Sequence, residues 1–285
     1  MIDLWRFSAI GTEWAVETDV PLTGDDRDAV SALIDAFDRD WSRFRADSLV
    51  TDLALRPGTR EAPPDATAML DLSARMSRAT HGAVNPLVGD SLAHRGYDAA
   101  CTLEDRGPLA APADWQSMLT WNEHELALAV PAMIDVGALG KGRLVDVVLA
   151  AIAARTPGGV VVDASGDIAV HGRRERIGLE HPFDARRAIG VWEVADAALC
   201  ASATNRRAWG DGLHHVLDAR TGEPVRTIAA SWAVASDAMT ADAIATALFF
   251  DGGAEFARDC GAEWVRMTSD GRVEWSTGCG AELFS

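Results

Sequence analysis

The sequence predicts an α+β chain with mixed or antiparallel sheets and flanking helices. Three observations carry that class. Apolar residues recur at three-and-four spacing in several separate stretches, short strand-like runs bounded by Gly, Pro, Asn and Asp lie between them, and the two patterns intermix without the strand–helix–strand rhythm of a parallel sheet. At 285 residues the chain is long enough for a large core, either as one big domain or as two lobes sharing an interface. No internal repeat is visible.

Residues 4–20 alternate loosely through Trp5, Phe7, Trp14 and Val16, predicting a strand pair around Gly11-Thr12, and Pro21–Asp26 is a turn. Val30, Leu33, Ile34, Phe37, Trp41 and Phe44 lie at helical spacing, predicting an amphipathic helix over Asp28–Phe44 that ends at Arg45-Ala-Asp47-Ser48. A Pro- and Gly-rich loop over 56–65 leads to a second helix through Met69, Leu72 and Met76, stopped at His81-Gly82. Residues 83–89 have Pro and Gly punctuation without a period, and 93–114 is a polar surface stretch. Leu119–Trp121 and Leu126–Val130 flank a hairpin turn. A glycine-rich turn, 134–142, opens a helix through Leu144, Val145, Val148, Leu149 and Ile152. Short strands follow at 160–162, 168–170, 177–179, 189–194, 198–201 and 232–235, with 204–209 breaking the pattern and 214–222 running from strand into turn. The helix at 236–250, another near 255–260 and strands at 264–267 and 273–275 close the chain.

A net charge of −17 excludes a general nucleic-acid surface, which needs basic patches. An anionic ligand would need local help from a cation, helix N-termini or a few placed Lys and Arg. Cys101, Cys200, Cys260 and Cys279 form no Cys-x-x-Cys pair and have no clustered histidines beside them, so free thiols are expected rather than a zinc or redox site. The N-terminus has no basic n-region followed by an apolar h-region, and no apolar run reaches spanning length, predicting a cytoplasmic protein without membrane insertion.

The chemistry concentrates in two stretches. In 236–250 the alanines favour helix, and a four-residue offset sets the Asp242 carboxylate and Thr246 hydroxyl on one face. Two converging oxygens begin a site for a hard cation such as Mg²⁺, which keeps water and substrate phosphate in its remaining positions. The structural alternative is an aspartate that caps its own helix and a threonine bonded to its i−4 carbonyl. In Asp135-Val-Gly137-Ala138-Leu-Gly140-Lys141-Gly142, glycines let backbone approach an anion that free N–H groups and Lys141 could face; the alternative is a tight turn with a solvated lysine.

Six segments fall in a telling order. They are Asp47-Ser48 after the first helix, Gly82-Ala-Val-Asn85-Pro86, the Asp135–Gly142 loop, Ser165-Gly166-Asp167, His215-Val-Leu-Asp218-Ala219-Arg220-Thr221-Gly222, and Ala241-Asp242-Ala-Ile-Ala-Thr246. Together they resemble the FAD:protein FMN transferases (ApbE family) from about Gly11 to Gly252. The resemblance implies one ApbE-type, T-fold-like domain over 1–285, in two closely joined lobes with FAD in the cleft. It implies Mg²⁺ held by Asp242, Thr246 and the Ala138 carbonyl. It further implies FAD bound through Asp47, Ser48, Asn85, Pro86, Asp135, Lys141, Gly166, Asp167, His215 and Thr221. The implied reaction transfers FMN to a threonine hydroxyl of a target protein with AMP leaving, His215 acting as acid/base and Asp242 through the metal. The sequence departs from the family pattern at Asn85 (usually Asp), Ala219 (Pro), Ser165 (Gly) and Ser202-Ala-Thr204 (Thr-Ser-Gly). Cleavage of FAD to FMN and AMP, or FAD binding without catalysis, is the alternative those departures raise.

Overall fold

Ile10 and Gly11, both left-handed (φ 45° and 73°), form the two-residue turn joining β1 (Asp3–Ala9) to β2 (Thr12–Thr18). The computed structural model describes residues 2–284. Helix α1 (Gly24–Trp41) begins four residues before the expected start and stops three before the expected end. Thr23 and Asp26 cap its N-terminus reciprocally, while Ser42 turns extended. Helix α2 (Leu49–Leu55), capped by the Ser48 hydroxyl on Thr51 N–H at 3.2 Å, is too short to show a period. The expected 56–65 loop contains β3 (Gly58–Glu61), and α3 (Ala66–Ala79) follows. Two short helices were not expected: α4 (Gly89–His94) bridges the 83–89 and 93–114 stretches, and α5 (Trp115–Met118) follows the second of them. Strands β4 (Leu119–Trp121) and β5 (Glu125–Leu128) form the expected hairpin, with β3 on its other side.

After α6 (Gly140–Ala153) come β6 (Val160–Asp163), β7 (Asp167–His181) and β8 (Asp184–Ala203). The last two form one long antiparallel ribbon, not the separate short strands expected. Its middle carries charges that pair across strands, as Arg174 does with Glu193 at 2.7 Å, so polar residues that read as breaks are the solvated part of a continuous hairpin. Short pairs β9 (Ala208–Trp209) with β10 (Leu213–His214), and β11 (Leu217–Asp218) with β12 (Glu223–Pro224), precede β13 (Ile228–Ala235). Then follow α7 (Ala238–Ala247), α8 (Gly253–Asp259), β14 (Glu263–Thr268), β15 (Val273–Trp275) and β16 (Glu282–Leu283).

The main sheet runs β1-β2-β6-β7-β8-β13-β14-β15, every pairing antiparallel, with β16 beside β8. Strand alternation divides its residues between two cores. Val160, Val162, Ala198, Cys200, Ala233 and Ala235 join the large core with α6 and α7, while Val161, Leu199 and Trp232 join a second one. Leu144, Val145, Val148 and Ile152 of α6 are fully buried; each contributes about 1.5–3 kcal/mol by burial. Among the described residues no helix is long and apolar enough to cross a membrane.

Asp146, on α6, starts α7. Its two oxygens accept the Ala238 and Met239 N–H groups at 2.8 and 2.9 Å, and burial pushes its pKa up to about 6. A carboxyl raised on folding stabilises below its unfolded pKa and loses that contribution as pH rises through the folded value. This group therefore makes stability fall between about pH 4 and 6. Asp146→Asn is expected to lack that limb in thermal melts across the window; an unchanged pH profile would contradict the assignment.

Candidate functional site

The turn from β6 to β7 uses Ser165 and Gly166, left-handed at φ 54° and 104°, closed by Ala164 N–H on the Asp167 carbonyl at 2.9 Å. As the first residue of β7, Asp167 shares the helix-facing side with Ala169 and lies opposite Cys200 of β8. It has no solvent exposure. Lys141, the chain's only lysine, reaches it from the first turn of α6, with Nζ 2.8 Å from Asp167 Oδ2 and 2.8 Å from the Ala164 carbonyl. The solvated-lysine alternative is thereby excluded. Burial opposes the Lys141 charge, but Asp167 and then Asp242 overcome it and raise its pKa, keeping it cationic. Among the described residues neither Asp167 oxygen makes a hydrogen bond of good geometry, leaving an undersatisfied buried carboxylate beside one ammonium.

Asp242 completes the cluster from α7. Its Oδ2 accepts the Gly142 N–H at 3.0 Å. Gly142 is the third residue of α6, so its N–H is one of the helix's unpaired N-terminal donors and Asp242 satisfies it; the Ala138 carbonyl, just before the N-cap Leu139, has no backbone partner among the described residues. The cap of α7 is Asp237, whose Oδ1 accepts the Thr240 N–H at 2.8 Å, so Asp242 is not the helix cap. Among the described residues the Thr246 hydroxyl makes no hydrogen bond to its i−4 carbonyl. Burial, and then Asp167, push the Asp242 carboxyl well above its usual range, while Lys141 and the Gly142 amide work the other way. Cys200 sits beneath, its Sγ 3.3 Å from the Ala238 carbonyl.

A cation would relieve several of these tensions together. Asp242, Thr246 and the Ala138 carbonyl are oxygen donors of the kind Mg²⁺ takes, and two buried carboxylates held by one lysine are short of positive charge. The residues fit the ion, although no group of three or more His, Cys, Asp or Glu suited to a metal occurs among the described residues.

The helices meet here because Gly142 has no side chain. A Cβ there would lie 2.2 Å from the Ala238 carbonyl oxygen and 2.8 Å from Asp242 Cβ. Gly142→Ala is expected to cost roughly 1–3 kcal/mol by forcing α6 from α7, and to weaken any Mg²⁺ response; a melt and a Mg²⁺ titration check both.

Asp135 is a second hub. Its Oδ1 accepts the Gly137 N–H at 2.7 Å, its Oδ2 accepts Arg43 Nε at 2.6 Å, and its own N–H donates to the Pro86 carbonyl at 2.8 Å. The neighbouring Asn85 is buried and fully used, donating to the Pro112 carbonyl and accepting from Leu87 N–H at 2.8 and 2.9 Å. It anchors the 93–114 stretch. His215 is half-buried, with Nδ1 lacking a hydrogen-bond partner among the described residues. Burial, then the Arg207 guanidinium, push its pKa down to about 3. Its neighbour His214 is structural, with Nε2 2.8 Å from the Val225 carbonyl.

Three predicted residues are engaged locally. Asp47 is exposed and ion-paired with Arg45 at 2.9 Å, Ser48 caps α2, and the Thr221 hydroxyl is used inside its own turn, bonding the Asp218 carbonyl at 3.3 Å and Glu223 N–H at 3.2 Å. The structure thus brings Lys141, Asp167 and Asp242 together, with Gly166 in the turn before Asp167, Ala138 in the turn before α6 and Thr246 one turn beyond Asp242 on α7, while Asp135, Pro86 and His215 stand on a connected arm. Sequence reasoning missed Arg43, Tyr97 and Arg207. Each stands in a stretch whose pattern reads as a solvated face, so no local signal marked them. A groove of about 530 Å³ between α3 and β4, lined by Arg75, Arg78 and Trp121, shares none of these residues.

The sequence profile of the ApbE family matches residues 10–265. A FAD:protein FMN transferase of Rhodobacter capsulatus is 27% identical over 290 residues, covering 94% of this chain and 55% of the relative. One from Klebsiella pneumoniae (strain 342) is 27% identical over 174 residues, covering 59% of this chain and 55% of the relative. The chain thus spans about half the length of the curated relatives it matches. Among solved structures, the ApbE protein of Thermotoga maritima superposes with a TM-score of 0.82 at 21% identity, covering 97% of both chains. The flavin transferase ApbE of Vibrio cholerae superposes with 0.79 at 19% identity, covering 97% of this chain and 96% of that one. At these identities the superpositions establish the fold.

Proposed function

The chain belongs to the ApbE family, and from that premise we propose that it is a Mg²⁺-dependent FAD:protein FMN transferase. In this reading it moves FMN from FAD to a threonine hydroxyl of a target protein and releases AMP. The name borne by the Rhodobacter and Klebsiella relatives supports the activity. The observation that carries it is the buried Asp167–Lys141–Asp242 cluster at the start of α6, next to the turn that bears the unpartnered Ala138 carbonyl. Such a site is short of positive charge and rich in oxygen donors.

In this mechanism Asp242, Thr246 and the Ala138 carbonyl would hold the ion. When bound, Mg²⁺ supplies neutralisation of phosphate oxygens and of the departing AMP. Lys141, kept cationic by its two carboxylates, adds fixed positive charge at the start of α6, where free N–H groups favour an anion. His215, neutral at pH 7 and with Nδ1 unpartnered, takes the threonine proton as its oxygen attacks the FMN phosphorus and the bond to AMP breaks. An anion bound beside Arg207 would offset the guanidinium's share of that lowering, the smaller one after burial. This reading assigns the reaction to 1–285 acting as one unit. It assumes the cytoplasm, where the four free cysteines remain thiols.

The test incubates the protein with FAD, Mg²⁺ and candidate proteins bearing exposed threonines. A covalently fluorescent target band appearing with stoichiometric AMP is the expected result. FMN and AMP without a labelled protein would favour FAD cleavage, which the departures at Asn85 and Ser202–Thr204 raise.

A further inference from the structure

Two arginines are almost wholly buried, and they differ in one respect. Arg95 uses its whole fork, with Nε donating to the Gly222 carbonyl at 3.0 Å, Nη1 to Asp105 at 3.0 Å and Nη2 to Glu223. It is a structural tie. Arg43 has a side chain only 4% exposed, yet its Nη2 has no hydrogen-bond partner among the described residues. Its guanidinium lies over the rings of Phe44 and Tyr97, 4.2 and 4.7 Å from their centroids. A buried charge with an unsatisfied donor is a costly way to fill space, since apolar residues of the same volume are often as stable or more so.

What Arg43 does touch is informative. Nε donates to Asp135 at 2.6 Å, and Asp135 shapes the loop that carries Ala138 by accepting the Gly137 N–H. Nη1 donates to the Tyr97 carbonyl at 2.6 Å. The Tyr97 hydroxyl accepts from Arg207 Nη1 at 2.8 Å, and the Arg207 carbonyl accepts the His215 N–H at 3.3 Å. The Tyr97 ring also packs on Trp209, centroids 5.6 Å apart, in the strand just after Arg207. Arg43 is therefore the junction between the Ala138 loop and the segment bearing His215, which are far apart in sequence and share no strand.

We infer that Arg43 is a positioning residue that holds the Ala138 loop and the His215 arm in register through Asp135 and Tyr97. The inference rests on the transfer reading above. A planar fork can address a carboxylate and a carbonyl at once from one rigid group, which the single ammonium of lysine cannot do in the same geometry. Loosening it should misalign the two halves of the site, and misalignment appears in kcat more than in binding.

The experiment compares wild type with Arg43→Lys, each alone and in a His215→Ala background. Arg43→Lys is expected to melt near wild type, lower kcat roughly ten- to hundredfold and change the KM for FAD by less than about threefold. In the His215→Ala background the same substitution should cost little, because the group it places is gone. With Mg²⁺ alone, followed by the Gly142 amide resonance, its apparent affinity should weaken about threefold or more as the Ala138 loop slackens. Should Arg43→Lys fail to fold, Tyr97→Phe breaks only the link to Arg207 and should lower kcat in the same direction. Wild-type kcat in the substituted, folded protein, or an undiminished penalty in the His215→Ala background, would overturn the inference. Wild type that labels no protein would instead strike the transfer reading.

Discussion

Asp242→Asn is expected to remove Mg²⁺-dependent AMP release, by roughly a hundredfold or more, while leaving the fold as stable as wild type or more stable. The two halves have one cause. Asp242 is buried near Asp167, and both burial and that second carboxylate raise its pKa well above the usual value. A carboxyl raised on folding contributes stability only below its unfolded pKa and becomes a liability as pH rises through the folded one. Asparagine keeps an acceptor for the Gly142 N–H, so the contact between α6 and α7 survives without the charge. What it lacks is the anionic oxygen for the ion, and a hundredfold loss corresponds to about 2.7 kcal/mol of barrier. Melts without FAD and Mg²⁺, run beside AMP-release assays across Mg²⁺ concentrations, read both quantities. Full turnover in the variant would make the α7 carboxylate a packing residue.

The sequence was most legible where chemistry depends on spacing within one element. The Asp242–Thr246 offset sits on a helix as expected, and the glycine-rich turn does open α6. Helices with a strong apolar stripe were found, but their ends moved wherever a cap decided them, as Thr23 and Asp26 do for α1. The long β7–β8 ribbon read as fragments because its charged middle pairs across strands, information absent from either strand alone. The same reason hid the second half of the site. Nothing near Arg43 states that it meets Asp135, 92 residues away, and nothing near Lys141 states that Asp167 faces it. Those partners follow from sheet register and helix crossing. Of the crossing, only the need for a glycine at Gly142 leaves a local trace.

His215→Ala is expected to slow protein labelling by about a hundred- to ten-thousandfold while FAD binding changes less than about threefold. A threonine hydroxyl is far too weakly acidic to attack unaided at neutral pH, and a positioned base contributes a factor of that size. In the free protein the imidazole is half-buried, with Nδ1 unpartnered among the described residues, and burial and Arg207 push its pKa down to about 3, which leaves it neutral but weakly basic until substrate changes its surroundings. It is therefore neutral throughout the physiological range. The depressed pKa also has a sign that stability can test. A histidine less basic in the folded than in the unfolded chain stabilises the fold above about pH 6.5, and that contribution is lost as pH falls from there toward 3. Wild type should lose roughly 1.4 kcal/mol per pH unit through this group, and His215→Ala should show a shallower acid limb. The kinetic and thermodynamic readouts are independent. A shallower acid limb with undiminished labelling would mean that His215 is a buried structural histidine and that another group takes the proton. Slower labelling with an unchanged limb would mean that the imidazole is solvated in the free protein and acts only once substrate encloses it.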